Sequence, residues 1–221
     1  PPGAVVDDLG RAVNIEEIPQ GIISLAPSNT EILFALGLKD KVVGVTEFCD
    51  YPPEALEKEK VGGYSTPDIE KIIVLQPDLI LASSIHAREV IPALERRGFT
   101  VFALEPKNLG GILKDIQMVG KITGRAKETS ELVTQMKNRI EAVTDKTKSL
   151  EEMPRVFYVT WHEPLFSVGS GTTIQELIEK AGGVNIFQDR TGHMEVDIEF
   201  VIAHDPQVII ACTGHGEAEE Q

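Results

Sequence analysis

Apolar positions along the chain follow two signatures, a helical stripe and a short continuous run, and one such pair is written twice. In PDIEKIIVLQPDLILAS, Pro67 to Ser83, the residues Ile69, Ile72 and Ile73 fall at i, i+3 and i+4. That spacing marks one buried helix face, and Glu70 lies off it. Thr66 is placed to cap this helix, and Pro67 suits its first position, where a missing N–H costs nothing. Pro77 ends the helix, and DLILA reads as a strand buried on both faces. VDIEFVIAHDPQVIIAC, Val196 to Cys212, repeats the unit at a constant spacing of 129 positions. Asp68, Ile69 and Glu70 recur as Asp197, Ile198 and Glu199, Pro77 recurs as Pro206, and Leu79, Ile80 and Leu81 become Val208, Ile209 and Ile210.

A fainter likeness extends upstream. GIISLAPSNTEILFALG predicts a strand from Ile22 to Leu25 and a helix opened by a Ser28–Glu31 capping box and closed by Gly37. Its later counterpart predicts a strand from Val156 to Thr160, a long loop, and a helix ending near Gly182. KVVGVT and TVFAL add further short strands to the first half. Strands alternating with helices imply an α/β protein with a parallel sheet in each half.

Between the halves, KNLGGILKDIQMVGKITG predicts a helix broken at Gly124. The stretch Ala126 to Leu150 contains neither Pro nor Gly, and Leu132, Val133, Met136, Ile140 and Val143 form one apolar stripe. About 1.5 Å of rise per residue makes it a rod on the order of 35 Å. The expected organisation is therefore an N-terminal extension (residues 1–20), an α/β lobe (21–125), a connecting helix (126–150) and a second, similar α/β lobe (151–221). Ligands of open α/β sheets sit beyond the carboxyl ends of the strands, and clefts between domains are favoured ligand sites, so a cleft between the lobes is the expected binding place.

Composition narrows the function. The chain has 221 residues, 42% of them hydrophobic, which is ordinary globular usage. Its net charge of −14 and the lack of any basic block argue against nucleic acid as a partner. No apolar run approaches the roughly 20 residues needed to span a bilayer. No secretory signal opens the chain, which suits a cytosolic protein or a processed, mature one. Cys49 and Cys212 are expected to be free thiols. CxxC, HExxH, GxGxxG and GxSxG patterns are missing. A metal-dependent hydrolase built on His86, His162, His193 or His215 would need ligands at characteristic spacing, and a free zinc or manganese binder would need a tight ligand cluster; the sequence offers scattered histidines.

IPQGIISLAPSNTEILFALGLKDKVVGVTEFCDYPPEA, VGGYSTPDIEKIIVLQPDLIL and GSGTTIQELIEKAGGVNIF occur in order, and together they resemble the substrate-binding proteins of ABC importers for cobalamin, ferric siderophores and haem. The resemblance covers nearly the whole chain, and DYPPEA leans toward the cobalamin-binding branch. It implies two α/β lobes bridged by one rigid helix, no enzymatic activity, no cofactor, and a cobalt- or iron-containing chelate as ligand. It also implies a monomer outside the cytoplasm, in the periplasm or lipid-anchored at the cell surface, working with a dimeric membrane permease. Members of this family continue some tens of residues past TGHGEAEEQ, so the second lobe is expected to be incomplete here.

In that family one exposed acidic residue on each lobe docks onto permease arginines, and Glu70 and Glu199 occupy those positions. Charge-assisted pairing of this kind also steers docking. Phe48 and Tyr64 match positions where cobalamin-binding relatives place aromatics against the corrin. His193 and Ser83 stand where those relatives have tryptophan, a departure that leaves haem and siderophores open. Tyr64 and His193 are 129 positions apart, as are His86 and His215, so each pair is a candidate for facing across the cleft. Trp161 and His162 follow the first strand of the second lobe, at its expected rim. Imidazole and phenolate are ligands that cobalt or iron centres accept.

Overall fold

The computed structural model describes residues 3–211, so Cys212 and His215 lie outside the described residues. The chain falls into two compact units. The first holds the residues up to Pro106 together with Gly110–Thr134; the second holds Lys107–Leu109 and the residues from Gln135 onward.

The first unit opens with an antiparallel hairpin, β1 (Gly3–Val6) and β2 (Ala12–Ile15). Asp7 closes its turn, accepting from the amides of Leu9 and Arg11 and from the Arg11 guanidinium. Its Oδ2 also accepts from the Ala103 amide, so the segment expected as an extension is fastened to the sheet. Next come β3 (Ile22–Ser24), α1 (Pro27–Ala35), β4 (Val42–Val45), α2 (Ile69–Leu75), β5 (Leu79–Ala82), α3 (Val90–Glu95) and β6 (Val101–Ala103). The strands form one parallel sheet in the order β4-β3-β5-β6. Leu79, Ile80, Leu81 and Ala82 are fully buried, as the apolar run predicts, and Ile72 of α2 packs with Ile80 and Ala82 in the core.

Two caps differ from expectation. Asp68 caps α2, its carboxylate accepting from the Glu70 and Lys71 amides, and Pro67 lies buried in the preceding loop. Gly62 explains the shift. It has φ +90° and bridges to Pro67, and a Cβ there would meet the Asp68 nitrogen at 2.8 Å, so the chain turns too tightly for the helix to start at Pro67. Helix α1 starts with Pro27 at its first position after Ala26, with no side-chain cap, so Ser28–Glu31 is not a capping box.

Helix α4 (Leu109–Ile122) and helix α5 (Ala126–Thr147) follow. The boundary between units falls inside α5, between Thr134 and Gln135. Thr129 and Val133 are buried in the first unit, where Thr129 lies against Gly120, while Met136, Ile140 and Val143 line a cavity of the second.

The second unit contains β7 (Arg155–Val159), β8 (Trp161–His162), β9 (Leu165–Val168), α6 (Thr173–Lys180), β10 (Val184–Asn185), β11 (His193–Glu195), α7 (Ile198–His204) and β12 (Val208–Ala211). A parallel sheet runs β10-β7-β12, and a second, antiparallel sheet runs β11-β9-β8. The stretch expected as a long loop before α6 thus carries the hairpin β8–β9. A two-residue strand is too short to show alternation in sequence. Phe157, Phe187, Val196 and Val201 make the core.

The repeated unit is not buried alike in its two places. Strand β5 has a neighbour on each side, whereas β12 pairs with β7 alone among the described strands. Val208, Ile209 and Ile210 are exposed, against the expectation of a strand covered on both faces, and so are Ile198 and Ile202. Ile210 and Tyr158 on the sheet, with Ile174 and Leu177 of α6, line an apolar cavity of about 580 Å³.

One repeated detail is invisible in residue identity. Asp78 accepts from the Gly21 amide (2.9 Å) and donates its own amide to the Gly21 carbonyl (2.8 Å). Gln207, 129 positions on, accepts from the Arg155 amide (2.9 Å) and donates to the Arg155 carbonyl (2.9 Å). Each clamp fastens the start of one strand to the start of the first strand of its parallel sheet.

Candidate functional site

In the first unit the carboxyl ends of β3, β4 and β5 carry a polar layer. Ser24 ends β3, and its hydroxyl lies 2.8 Å from Thr30 Oγ1 on α1. Thr30 and Thr46 approach the Cys49 sulfur at 3.2 and 3.1 Å, and Cys49 is a buried free thiol. The Lys60 ammonium donates to the carbonyls of Thr46, Cys49 and Ala55 at 3.0–3.4 Å. This ties down the loop that presents Phe48, a ring 62% exposed. Phe48 approaches within 3.9 Å of the place a Cβ on Gly63 would take, so its ring lies beside the Tyr64 loop. Lys60 carries no signal in the sequence because its partners are backbone carbonyls.

Tyr64, Ser83 and His86 come together. Ser83 follows β5 and caps a single helical turn whose third residue is His86. The Ser83 amide donates to His86 Nδ1 at 3.0 Å, and the Tyr64 and Ser83 hydroxyls are 3.1 Å apart. An amide can only donate, so Nδ1 accepts and the ring proton sits on Nε2, which donates to the Tyr64 carbonyl at 2.6 Å. Tyr64 meets the imidazole edge to face, 5.6 Å between ring centres at 78°. Burial pushes His86 below the usual imidazole range, against the hydrogen bond to the Tyr64 carbonyl, which favours the charged form. His86 is fully buried, with both ring nitrogens used. That corrects the expectation of a ligand-facing histidine: no lone pair is left for a metal. Its counterpart His215 lies outside the described residues.

In the second unit, Trp161 and His162 form β8, both exposed, with ring centres 5.5 Å apart. The Trp161 indole donates to the Glu163 carbonyl at 2.7 Å. His193 opens β11, exposed, opposite Val168, so Trp161, His162 and His193 share one antiparallel sheet. Glu70 and Glu199 are exposed in the first turns of α2 and α7.

A carboxyl pair that sequence reasoning missed sits beside this layer in the first unit. Burial, and then the Asp8 carboxylate hydrogen-bonded to it, raise Asp115 on α4 to about 7. Burial also pushes Asp8 up, but the Lys114 ammonium (2.8 Å) and the Glu105 amide (2.8 Å) outweigh it and hold Asp8 below its ordinary value. Asp115 therefore keeps the shared proton. Among the described residues no group of three or more His, Cys, Asp or Glu could hold a metal ion, and no helix is long and apolar enough to cross a membrane.

Parallel sheets flanked by helices, with polar and aromatic side chains gathered at the strand ends, define an α/β ligand-binding protein. The chain belongs to the periplasmic binding protein family, whose model matches residues 22–221. It is 34% identical over 220 residues to an uncharacterized ABC transporter substrate-binding lipoprotein of Bacillus subtilis, covering 96% of this chain and 70% of that one. It is 37% identical over 191 residues to a vitamin B12-binding protein of Vibrio cholerae, covering 85% of this chain and 68% of that protein. A crystal structure of the periplasmic vitamin B12-binding protein of Vibrio cholerae matches with a TM-score of 0.77 at 35% identity, over 89% of this chain and 77% of that one. A periplasmic haem-binding protein of Roseiflexus matches with a TM-score of 0.80 at 26% identity, over 88% of this chain and 77% of that one.

Proposed function

We propose that the chain is the substrate-binding component of an ABC importer, capturing a cobalamin-type corrinoid outside the cytoplasm and delivering it to a membrane permease without chemical turnover. The similarity to vitamin B12-binding proteins carries this reading. The site supports it in kind. Phe48 and Tyr64 offer aromatic surface to a large planar macrocycle, and the second unit adds Trp161, His162 and His193 on one exposed sheet. Ser83 contributes a hydroxyl already fixed by Tyr64 and His86. Glu70 and Glu199 serve the permease, one on each unit, and leave the ligand alone.

Haem or a ferric siderophore is the second reading. The likeness to a haem-binding structure and the exposed imidazole of His193, a candidate axial ligand, favour it. A titration panel of cyanocobalamin, haemin and a ferric siderophore, followed by visible absorption, tests both. One-to-one binding of cyanocobalamin with no product formed is the expected outcome. Binding of haemin with no response to cyanocobalamin would transfer the assignment to haem.

A further inference from the structure

Tyr64 and Ser83 belong to different segments of the first unit, a loop before α2 and the turn after β5, and one side chain spans both. We infer that His86 is the positioning residue of this half of the site, a neutral brace that holds Tyr64 and Ser83 as one surface. This rests on the ligand-binding reading proposed above.

Tyr64 is held at three points. Its carbonyl accepts from His86 Nε2, its ring packs on the imidazole edge to face, and its hydroxyl meets Ser83 Oγ. Ser83 is held by the same imidazole through its amide, and its Oγ lies 3.4 Å from Nδ1. Neither ring nitrogen can be spared. A proton added to Nδ1 would point at the Ser83 amide 3.0 Å away, donor against donor inside a buried pocket. A buried polar group left without a partner is destabilising. His86 must stay neutral for the turn to keep its shape, so acid should open the brace and release Tyr64.

The Tyr64 phenol packs on the imidazole, and Glu105 accepts from the adjacent Ser84 amide at 3.2 Å. Arg88 and Glu89 follow on the exposed part of the same turn.

The test begins with the ligand-free protein. In a pH titration from 8 to 4.5 followed by NMR, the Ser83 amide and the Tyr64 ring signals should move together with the His86 ring, at one midpoint below the ordinary imidazole range. Movement of the Ser83 and Tyr64 signals at a midpoint different from that of the His86 ring, or no movement as His86 titrates, would overturn the inference. Cyanocobalamin affinity is then measured over the same range. It should fall about tenfold or more as His86 takes up its proton, and His86→Asn should weaken binding at pH 8 and remove that step. Binding that is unchanged by pH and by His86→Asn would also overturn it. Failure of cyanocobalamin, haemin and the siderophore to bind at all would sink the proposed function, while the ligand-free titration still decides the role of His86.

Discussion

Gln76 and Asp205, 129 positions apart, adopt the same left-handed backbone conformation, with φ of 44° and 43°. Among the described residues they are the two non-glycine residues with positive φ, and each ends a seven-residue helix directly before a proline. The repeat therefore extends to a backbone conformation that neither residue favours. Glycine adopts it without the strain that a side chain brings. Gln76→Gly should stabilise the protein by roughly 0.5–1 kcal/mol in chemical denaturation. Asp205→Gly should gain less, because Asp205 also pairs with Arg155 at 3.1 Å. Loss of stability in Gln76→Gly would mean that the Gln76 side chain outweighs its backbone strain.

Ile80 and Ile209 occupy the same position of the repeat but different environments, fully buried and 64% exposed. Ile80→Ala should cost about 2–5 kcal/mol, as for other buried aliphatic truncations. Ile209→Ala should stay within about 0.5 kcal/mol, as surface changes do. Urea midpoints of the two variants measure the contrast directly. Equal losses would show that β12 is covered in solution.

Asp115 makes stability depend on pH with a definite sign. Its folded value of about 7 lies above the ordinary 3.8, so between those values the folded protein holds a proton that the unfolded chain has released. Stability from this group is full below about pH 4 and is lost as pH rises toward 7. Asp115→Asn stays neutral throughout. It should match the parent near pH 4 and exceed it at pH 8 by roughly 2–4 kcal/mol, since each tenfold difference in proton affinity is worth about 1.4 kcal/mol. Thermal melts of both proteins at the two pH values test this, and a gain that is the same at both would refute the shared proton.

Glu70→Arg with Glu199→Arg separates permease docking from ligand capture. Both carboxylates are exposed at helix starts, so folding and ligand affinity should change little, with stability shifts of about 0.5 kcal/mol or less per site. Uptake by cells carrying the cognate permease should collapse, since like charges brought face to face cost several kcal/mol. Each single reversal should give an intermediate defect. Normal uptake by the double variant would remove the docking role.

The elements of the repeated unit were legible in the sequence, because helix faces and apolar strands leave periods that need no distant partner. Ile69, Ile72 and Ile73 marked α2, the run from Leu79 to Leu81 marked β5, and their copies marked α7 and β12. The exposure of Glu70 and Glu199 followed from the same periodicity. Tertiary structure decided what depends on groups meeting from afar. Gly62 brought the chain round so that Asp68, and not Thr66, caps α2. The same apolar pattern has a strand on both sides in β5 and, among the described strands, on one side in β12, and burial is a property of such neighbours and not of the strand's own residues. His86 read as a loop histidine free to take a ligand. The approach of Tyr64 to the turn after β5 instead spent both its nitrogens, and Asp8 meeting Asp115 across more than a hundred residues set a proton that no local pattern records.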